Sequence, residues 1–402
     1  MSMLQKVFGI GALPQKEFAS LVMQMGVEQG QFKNPQLDLD AFMIADEGRK
    51  MFLHNLHRAF LQQGRWQRRK FITEHMLAKP DVPETWAEIA PMLLANLRSG
   101  AYLSIAETHG MIMRAEATEP LEREPDNRIL RKPIAPGLFA TLVIDTPTSL
   151  LTVLGHHRDA WGVSFDDALE LALRNLREKS DQPFEQITDG VWRATWTDSL
   201  AAARILFPEL LQRVCSDPLV CVPTRDTLLV ADSSRPGSFM KLLALSMTFD
   251  EQPYRISRRI FQLDHKRLRL ADVPADAVDG YNRRILEEHV TDYEDERALH
   301  AKLENADETL AECMGLERNG RAFSATRWYR SMDGDNVLLP EVDMVQLVCA
   351  DGGWIAPWEK LVRFLTPVDR ALPRWRIGEF PDSEWLDENA ELIAKKSDLP
   401  SA

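Results

Sequence analysis

The segment 138–264 carries the pattern that most restricts how this chain can fold. Two apolar runs, 219–222 and 228–230, flank the short polar segment Pro223–Asp226. Short apolar runs bounded by turn residues predict two strands joined by a tight connection. The run 138–144 is continuously apolar and has no helical spacing, which predicts a buried strand. We therefore expect this segment to fold as a compact unit that contains both helices and a sheet.

Helical spacing is clearest at 164–177, where leucine and alanine side chains recur on one face. Ser164 is a favourable N-cap, and Asp167 follows it at capping-box spacing. Asp198 or Ser199 can cap a further helix that runs through Ile205. Other predicted helices cover 16–25, 51–61, 84–97 and 238–247. Further predicted strands cover 191–196, 254–263, 268–270, 322–330, 337–339 and 344–349.

A chain of 402 residues is too long for one typical core and predicts two or three domains. We expect an α+β fold in which a mixed or antiparallel sheet packs with helices. The predicted regions are a mainly helical N-terminal region at 1–130, an α/β core unit at 138–264, a long acidic helix at 275–316 and a small β-rich C-terminal module at 320–385.

The acidic stretch 279–314 contains a possible helix–helix seam. Leu299, Leu303, Ala306, Leu310 and Cys313 recur at alternating spacings of four and three, which is typical of a seam that faces a partner helix. The seam covers only about two heptads, which favours packing against its own domain. A protein partner, or self-association through the 279–314 helix, remains an alternative.

Composition indicates a cytoplasmic protein. The net charge of −13 argues against a broad nucleic-acid interface, which would need a basic face. A basic run near Arg255 leaves nucleic-acid binding as a third alternative, which predicts salt-sensitive retention on heparin. The four cysteines have neither zinc-site nor disulfide-framework spacing. No stretch approaches the ~18 apolar residues of a membrane span, so we expect no membrane association.

Sequence motifs identify no catalytic residue, no metal site and no cofactor. The chain has no Gly-x-Ser-x-Gly element and no glycine-rich phosphate loop. His54 and His57 lie three apart on a predicted helix, but no third ligand is near them in sequence. His156 and His157 are predicted to lie in a polar surface loop with their rings pointing apart. The run 333–336 predicts a turn.

The remaining candidates for ligand binding are Asp198, Arg204, Arg225 and Asp226. Arginine presents a planar fork of donors that suits carboxylate or phosphate. If the strands around 219–230 lie beside the helix that starts at Asp198, these four groups meet along one rim of the sheet. There they could hold a small anionic ligand, or they could pair with one another and only stabilise a turn and a helix cap.

Several segments of this region resemble a known family. The segments are Phe139–Asp145, Trp161–Ser164, Asp198–Leu206 and Val222–Asp226. Together they resemble the YtpQ-like family, a bacterial domain family of unknown function. The resemblance covers about 138–262, and Thr224 departs from the residue usual between proline and Arg-Asp. It implies a cytosolic bacterial α+β protein and brings no activity or cofactor.

Two functions follow as hypotheses. The first is a non-catalytic binding or regulatory module, favoured because no complete catalytic constellation is present. The second is a hydrolase or transferase for an anionic substrate, with Arg204 and Arg225 as clamps and Asp198 or Asp226 as base. The second requires the four side chains to converge in a cleft beside a carboxyl group of perturbed pKa.

Overall fold

The computed structural model describes residues 13–39, 42–46, 49–53, 56–57, 60–61, 63–64, 67–76, 85–115, 128–146, 150–252, 254–303, 306–332 and 336–395. Several sequence predictions fall partly or wholly outside these residues, among them parts of the N-terminal region 1–130 and of the predicted helix 51–61. His54, one member of the histidine pair, is outside them, and so are three residues of the predicted turn, 333–335.

Helices occur in every part of the chain that the structure describes. The α-helices are α1 (Gln15–Glu28), α2 (Arg68–Met76), α3 (Trp86–Ile89), α4 (Gly100–Ala115), α5 (Gly155–Trp161), α6 (Phe165–Glu178), α7 (Pro208–Val214), α8 (Ser238–Met247), α9 (Val278–His300), α10 (Trp358–Leu361) and α11 (Ser383–Asn389). Short 3₁₀ helices cover Ala90–Met92, Ala201–Leu206, Arg330–Met332 and Val362–Phe364.

The strands are short and mostly antiparallel. They are β1 (Gln36–Asp38), β2 (Met43–Asp46), β3 (Arg49–Phe52), β4 (Leu93–Ser99), β5 (Arg131–Ala135), β6 (Leu138–Asp145), β7 (Leu150–Thr152), β8 (Phe184–Thr188), β9 (Val191–Ala194), β10 (Pro218–Cys221), β11 (Leu229–Asp232), β12 (Ile260–Asp264), β13 (Arg267–Leu270), β14 (Thr309–Leu310), β15 (Met314–Arg318), β16 (Arg321–Tyr329), β17 (Val337–Pro340), β18 (Met344–Cys349), β19 (Gly352–Pro357), β20 (Leu365–Val368), β21 (Arg374–Ile377) and β22 (Glu391–Lys395). The mixture of helices with antiparallel and mixed sheets confirms the predicted α+β fold.

Contacts divide the chain into two compact units. The first comprises the described residues within 1–94, 113–126 and 143–175, and the second those within 95–112, 127–142 and 176–402. Several elements, including β6 and α6, continue from one unit into the other. The domain boundaries predicted from sequence follow a simpler linear division and stay predictions.

The first unit has its own apolar core. Helix α1 and the three-stranded sheet β1–β2–β3 enclose a cluster that includes Phe18, Phe42 and Phe60. Helix α6 begins in this unit as the sequence predicts, because the Ser164 hydroxyl accepts a hydrogen bond from the Asp167 amide at 3.2 Å. The Ser164 hydroxyl also donates to the Asp167 carboxylate at 2.6 Å, so two hydrogen bonds join these residues at the start of the helix.

A six-stranded antiparallel sheet organises the second unit. Its order is β13–β12–β10–β11–β9–β8, and the central pair β10–β11 joins Cys221 to Leu229 in register. The segment 222–228 connects these two strands and contains the polar run Pro223–Asp226. The predicted pair of strands is therefore confirmed, but its connection of seven residues is longer than the tight connection that the sequence predicts. Helix α8 packs on this sheet through Phe239 and Leu242.

The C-terminal part of the second unit contains two sheets around one core. One sheet has the order β14–β17–β21–β20, and the other β15–β16–β18–β19–β22. Trp328, which is fully buried, lies in this core with Tyr293 of helix α9. The predicted strands 322–330, 337–339 and 344–349 all occur at these positions, within one or two residues.

One predicted helix is wrong in large part, and the first residues of a second form a strand. The segment 84–97 forms only the short helix α3 and a 3₁₀ turn before β4 begins at Leu93. Pro91 lies in that 3₁₀ turn. Leu93–Leu97 is almost completely buried, so this strand is covered on both faces. A strand of this kind has a continuous apolar run, and its sequence pattern is not distinguishable from that of a buried helix. In the segment 51–61, strand β3 extends to Phe52, and the described residues 56–57 and 60–61 are helical.

The long acidic helix is shorter than its sequence suggests. Helix α9 ends at His300, and β14 begins at Thr309. Of the five seam residues, only Leu299 is helical, so the predicted helix–helix seam does not form as a continuous stripe. Several side chains of α9 are instead buried in its own unit, including Tyr281, Glu288 and Tyr293.

Within the part of the chain that the structure describes, no helix combines the length and the apolar character that crossing a bilayer requires.

Candidate anion-binding site

Arg204 and Asp198 form a bidentate ion pair. The two terminal guanidinium nitrogens of Arg204 donate to the two Asp198 carboxylate oxygens at 2.8 and 2.6 Å. The Nε–H donates to the Ser180 hydroxyl at 3.0 Å, and a further N–H reaches the Lys179 carbonyl oxygen at 3.4 Å. The Arg204 side chain is 0% exposed and its guanidinium lies 5.0 Å from the Trp196 ring centroid. Protein atoms therefore occupy four of its five donors.

A local turn places Asp198 for this pairing. Its carboxylate also accepts a hydrogen bond from the Leu200 amide at 3.0 Å, which closes an Asx turn. Ser199 has φ of 62°, in the left-handed region. The helix that follows is the 3₁₀ helix Ala201–Leu206 rather than an α-helix, and its N-cap is Leu200 with no side-chain cap bond. The prediction that Asp198 or Ser199 caps this helix is therefore wrong, because the Asp198 carboxylate closes the preceding turn instead. The Asp198 side chain is 39% exposed, so only the arginine is removed from water.

Arg225 and Asp226 lie in the β10–β11 connection and form a second pair. The Arg225 Nε–H donates to the Asp226 carboxylate at 3.3 Å, and the guanidinium stacks 3.4 Å from the centroid of the Tyr254 ring. Both side chains remain accessible, at 25% and 47%. The Arg225 amide donates to the Tyr254 carbonyl oxygen at 3.0 Å. Backbone and side chain thus both attach Arg225 to Tyr254.

Tyr254 has a strained backbone. Its φ of 60° lies in the left-handed region, which bulky residues seldom adopt and which costs on the order of 1–3 kcal/mol. The stacking of Arg225 on its ring and the Thr224–Arg255 bridge hold this conformation. Strain of this kind is found preferentially at functional sites.

Arg98, near the end of β4, is a neighbour of this site that the sequence did not reveal. Its guanidinium carbon lies 4.7 Å from the Tyr102 ring centroid, and one N–H donates weakly to the Leu97 carbonyl oxygen at 3.3 Å. Burial lowers the pKa of Arg98, and the charge of Arg225 lowers it further. Among the residues that the structure describes, no carboxylate lies within ion-pair distance of Arg98.

The charge balance of this region is therefore incomplete. A half-buried guanidinium without a counter-ion is costly, and a second arginine nearby adds repulsion. The carboxylate charge of Asp226 acts on Arg98 and raises its pKa, but Asp226 already contacts Arg225. The geometry leaves two positive charges and two tyrosine rings, Tyr102 and Tyr254, around one acid.

The four residues predicted as a rim are thus found as two separate pairs. A hydrogen bond of 3.0 Å from the Ala202 amide to the Arg225 carbonyl oxygen brings the two segments together through the backbone. Arg204 binds Asp198 and Arg225 binds Asp226. Ligand binding by these residues stays a prediction. Arg98, Tyr102 and Tyr254 lie far from them in sequence, and nothing in their local pattern marks them.

A pair of acids with perturbed pKa lies on α9, and one of them contacts Arg255, the residue after Tyr254. Burial raises the pKa of Glu288, and burial together with the charge of Glu288 raises the pKa of Asp292 to about 7. Asp292 accepts a hydrogen bond from Arg255 at 2.6 Å, and Glu288 accepts one from the Arg258 amide at 2.8 Å. The basic run near Arg255 therefore faces acidic partners.

The remaining histidines and cysteines that the sequence singles out have structural surroundings that explain them. The Nε2 atom of His57 lies 2.6 Å from the Leu13 carbonyl oxygen. His156 and His157 belong to α5, and their ring centroids are 4.0 Å apart, so the expected loop with diverging rings is wrong. Burial raises the pKa of Cys221 and Cys313 to about 12. In the described ranges, no three His, Cys, Asp or Glu side chains are arranged to hold a metal ion.

No protein-family model, no curated protein and no solved structure matches this chain. The resemblance to the YtpQ-like family stays a prediction.

Proposed function

We propose that this protein is a non-catalytic cytosolic binding protein whose ligand is a small anion held between Arg98 and Arg225. The observation that carries the proposal is the half-buried guanidinium of Arg98, which has no carboxylate partner within the described residues. An anion placed there removes the repulsion between the two arginines and replaces the water that Arg98 has lost. The four cysteines form no disulfide, which supports a reducing compartment.

We assign to Arg98 the anion-binding role that the sequence predicts for Arg204. The donors of Arg204 are already used by Asp198, Ser180 and Lys179, so an anion would have to displace a bidentate carboxylate. Arg225 holds its acid through one longer hydrogen bond of 3.3 Å and keeps a quarter of its side chain exposed. A ligand carboxylate or phosphate therefore accepts hydrogen bonds from Arg98 and Arg225, and only the long Arg225–Asp226 hydrogen bond is lost in exchange.

Calorimetric titration tests this proposal. Inorganic phosphate, pyrophosphate and citrate are titrated into the intact protein and into Arg98→Gln and Arg225→Gln variants at fixed ionic strength. We expect at least one of these anions to bind and each substitution to weaken that binding at least tenfold, since each removes charge-assisted hydrogen bonds. Arg193→Gln, which changes an exposed arginine paired with Glu185, is the matched control and is expected to bind normally.

The same variants give a second readout without ligand. Arg98→Gln removes a half-buried charge beside Arg225, so we expect it to leave the thermal midpoint unchanged or higher. Absence of binding for all three anions, or equal affinity in Arg98→Gln and in the control, would show that the proposal is wrong.

One observation favours an enzyme as the second candidate. Asp292, with its pKa raised to about 7, contacts Arg255, the residue after Tyr254, so a group able to exchange protons at neutral pH lies near Arg225. A hydrolase or transferase acting on an anionic substrate would then use Arg225 as a clamp and Asp292 as the acid or base. A screen of phosphate esters and carboxylate esters tests it: turnover that Asp292→Asn abolishes supports the enzyme, and no turnover supports binding alone.

A further inference from the structure

A cleft of about 430 Å³ opens beside the sheet edge formed by β8 and β9. Its walls come from the segment 181–184, from Trp192 of β9 and from helix α7. The volume is that of a small-molecule site. Phe184 and Trp192 supply aromatic surface, while Asp181, Gln182 and Arg213 supply polar groups.

The charged groups of this cleft are unused. Within the described residues, neither Asp181 nor Arg213 makes a hydrogen bond or an ion pair. The Gln182 side-chain oxygen accepts a hydrogen bond from the Thr195 hydroxyl at 3.3 Å, which leaves its amide N–H groups for a ligand. The cleft therefore offers one positive group, one negative group and an aromatic wall.

The Arg204–Asp198 ion pair holds the aromatic wall of the cleft in place. Arg204 donates to Ser180, the residue before Asp181, and stacks on Trp196. The Trp196 ring packs edge to face on Phe184, with centroids 5.4 Å apart. Asp198 and Arg204 thus act as positioning residues for the segment 181–184. This gives Asp198 and Arg204 a role that is distinct from holding a ligand.

We propose that this cleft binds a small zwitterion with an apolar or aromatic body, of the α-amino acid class. The ligand carboxylate pairs with Arg213, its ammonium group pairs with Asp181, and its body lies against Phe184 and Trp192. A charged pair of opposite signs in the site matches both ends of such a ligand. Aromatic surface supplies the remaining affinity through burial.

Titration calorimetry with L-phenylalanine, L-tryptophan, L-leucine and L-methionine tests the proposal on the intact protein. Each binding amino acid is compared with its analogue lacking the carboxylate and with its analogue lacking the amine. For L-phenylalanine these are 2-phenylethylamine and 3-phenylpropionate. We expect binding of at least one amino acid, weakened at least tenfold in both analogues, because each analogue leaves one charge of the cleft unpaired.

Two substitutions separate the ends of the ligand. Arg213→Gln is expected to weaken binding of the amino acid at least tenfold. It should leave binding of the amine analogue unchanged, because that analogue has no carboxylate to pair with Arg213. Asp181→Asn is likewise expected to weaken binding of the amino acid, but it should leave binding of the acid analogue unchanged, because that analogue has no ammonium group. Arg193→Gln, on the same strand as Trp192, is the matched control and should bind normally.

The outcome is independent of the anion site. Arg98→Gln is expected to leave amino-acid binding in this cleft unaffected, so failure of one proposal leaves the other standing. Absence of binding by all four amino acids at 10 mM, on the order of the weakest affinity such a site would show, overturns the cleft proposal. Equal effects of Arg213→Gln on the amino acid and on the amine analogue would also overturn it.

Discussion

Arg204 and Arg98 show how differently two arginines of one unit are used. Arg204 is fully buried and bonded to Asp198, Ser180 and the Lys179 carbonyl oxygen. Within the described residues, Arg98 is half-buried and contacts a neighbouring carbonyl oxygen weakly and the Tyr102 side chain, which also acts as a hydrogen-bond partner. Because a buried guanidinium needs partners, Arg204 is satisfied as it stands, and Arg98 is the arginine for which we propose a ligand.

Replacement of Arg204 by lysine tests the structural role. Lysine keeps the charge but cannot contact both Asp198 oxygens and Ser180 together, so we expect Arg204→Lys to lower the free energy of unfolding by about 2–4 kcal/mol in urea titrations. Arg193→Lys, in an exposed pair with Glu185, is expected to cost less than about 0.5 kcal/mol. Equal effects of the two substitutions would contradict the assignment.

The raised pKa of Asp292 predicts a pH dependence of stability. In the folded protein this carboxyl stays protonated up to about pH 7, because of its burial and the charge of Glu288, with Asp295 also raising and Arg255 and Arg259 lowering the pKa. In the unfolded chain it ionises near pH 4. The folded state therefore binds more protons between these values, and stability falls as pH rises through this window.

Asp292→Asn isolates this contribution, since asparagine does not titrate. We expect the variant to gain stability relative to the unsubstituted protein as pH rises from 5 to 8, measured by urea unfolding at each pH. Glu288→Gln should change the dependence in the same direction, because burial raises the pKa of Glu288 as well. A difference between variant and parent that stays constant across the range would refute the assignment.

Elements whose signals are local were predicted well. Helix α8 occupies Ser238–Met247, the predicted range, and α6 begins directly after its predicted cap. Strand β4 was mistaken for helix because Leu93–Leu97 is buried on both faces, and a continuous apolar run has no period that separates strand from helix. Helix α9 was extended too far because the acidic composition continues past His300 while the backbone turns into β14.

The cap of α6 gives a test at this scale. Ser164→Ala removes the acceptor for the Asp167 amide and is expected to destabilise the protein by about 1 kcal/mol, measured by chemical unfolding. Ser164→Thr keeps a hydroxyl and should retain most of that stability. An alanine variant as stable as the threonine variant would mean that the cap contributes nothing.

At the scale of the second unit, a buried ionic network connects distant parts of the sequence. Glu296 of α9 is 0% exposed and accepts hydrogen bonds from Ser104 of α4, from Arg374 of β21 at 3.0 Å and from Arg370 at 3.4 Å. Arg374, also 0% exposed, donates further to the Ala311 and Tyr293 carbonyl oxygens. One carboxylate thus ties α4, α9 and the C-terminal strands together.

Glu296→Gln is expected to be the most damaging of these substitutions. The amide keeps the shape but leaves Arg374 buried without its counter-charge, which costs about 3–5 kcal/mol. Urea unfolding followed by tryptophan fluorescence measures the loss. Glu391→Gln, in a fully exposed pair with Arg318, should have no measurable effect. Equal stability of the two variants would show that the network does not hold the unit together.

The sequence by itself determined the α+β class, the β10–β11 pair with its polar connection, and the cap at Ser164, because hydrophobic period, turn residues and capping act over a few residues. Tertiary structure alone decided the partners of the charges. The charge of Arg225 acts on Arg98, and Glu296 pairs with Arg374, only after the chain has folded, since electrostatic interaction depends on distance in space and leaves no trace in local spacing.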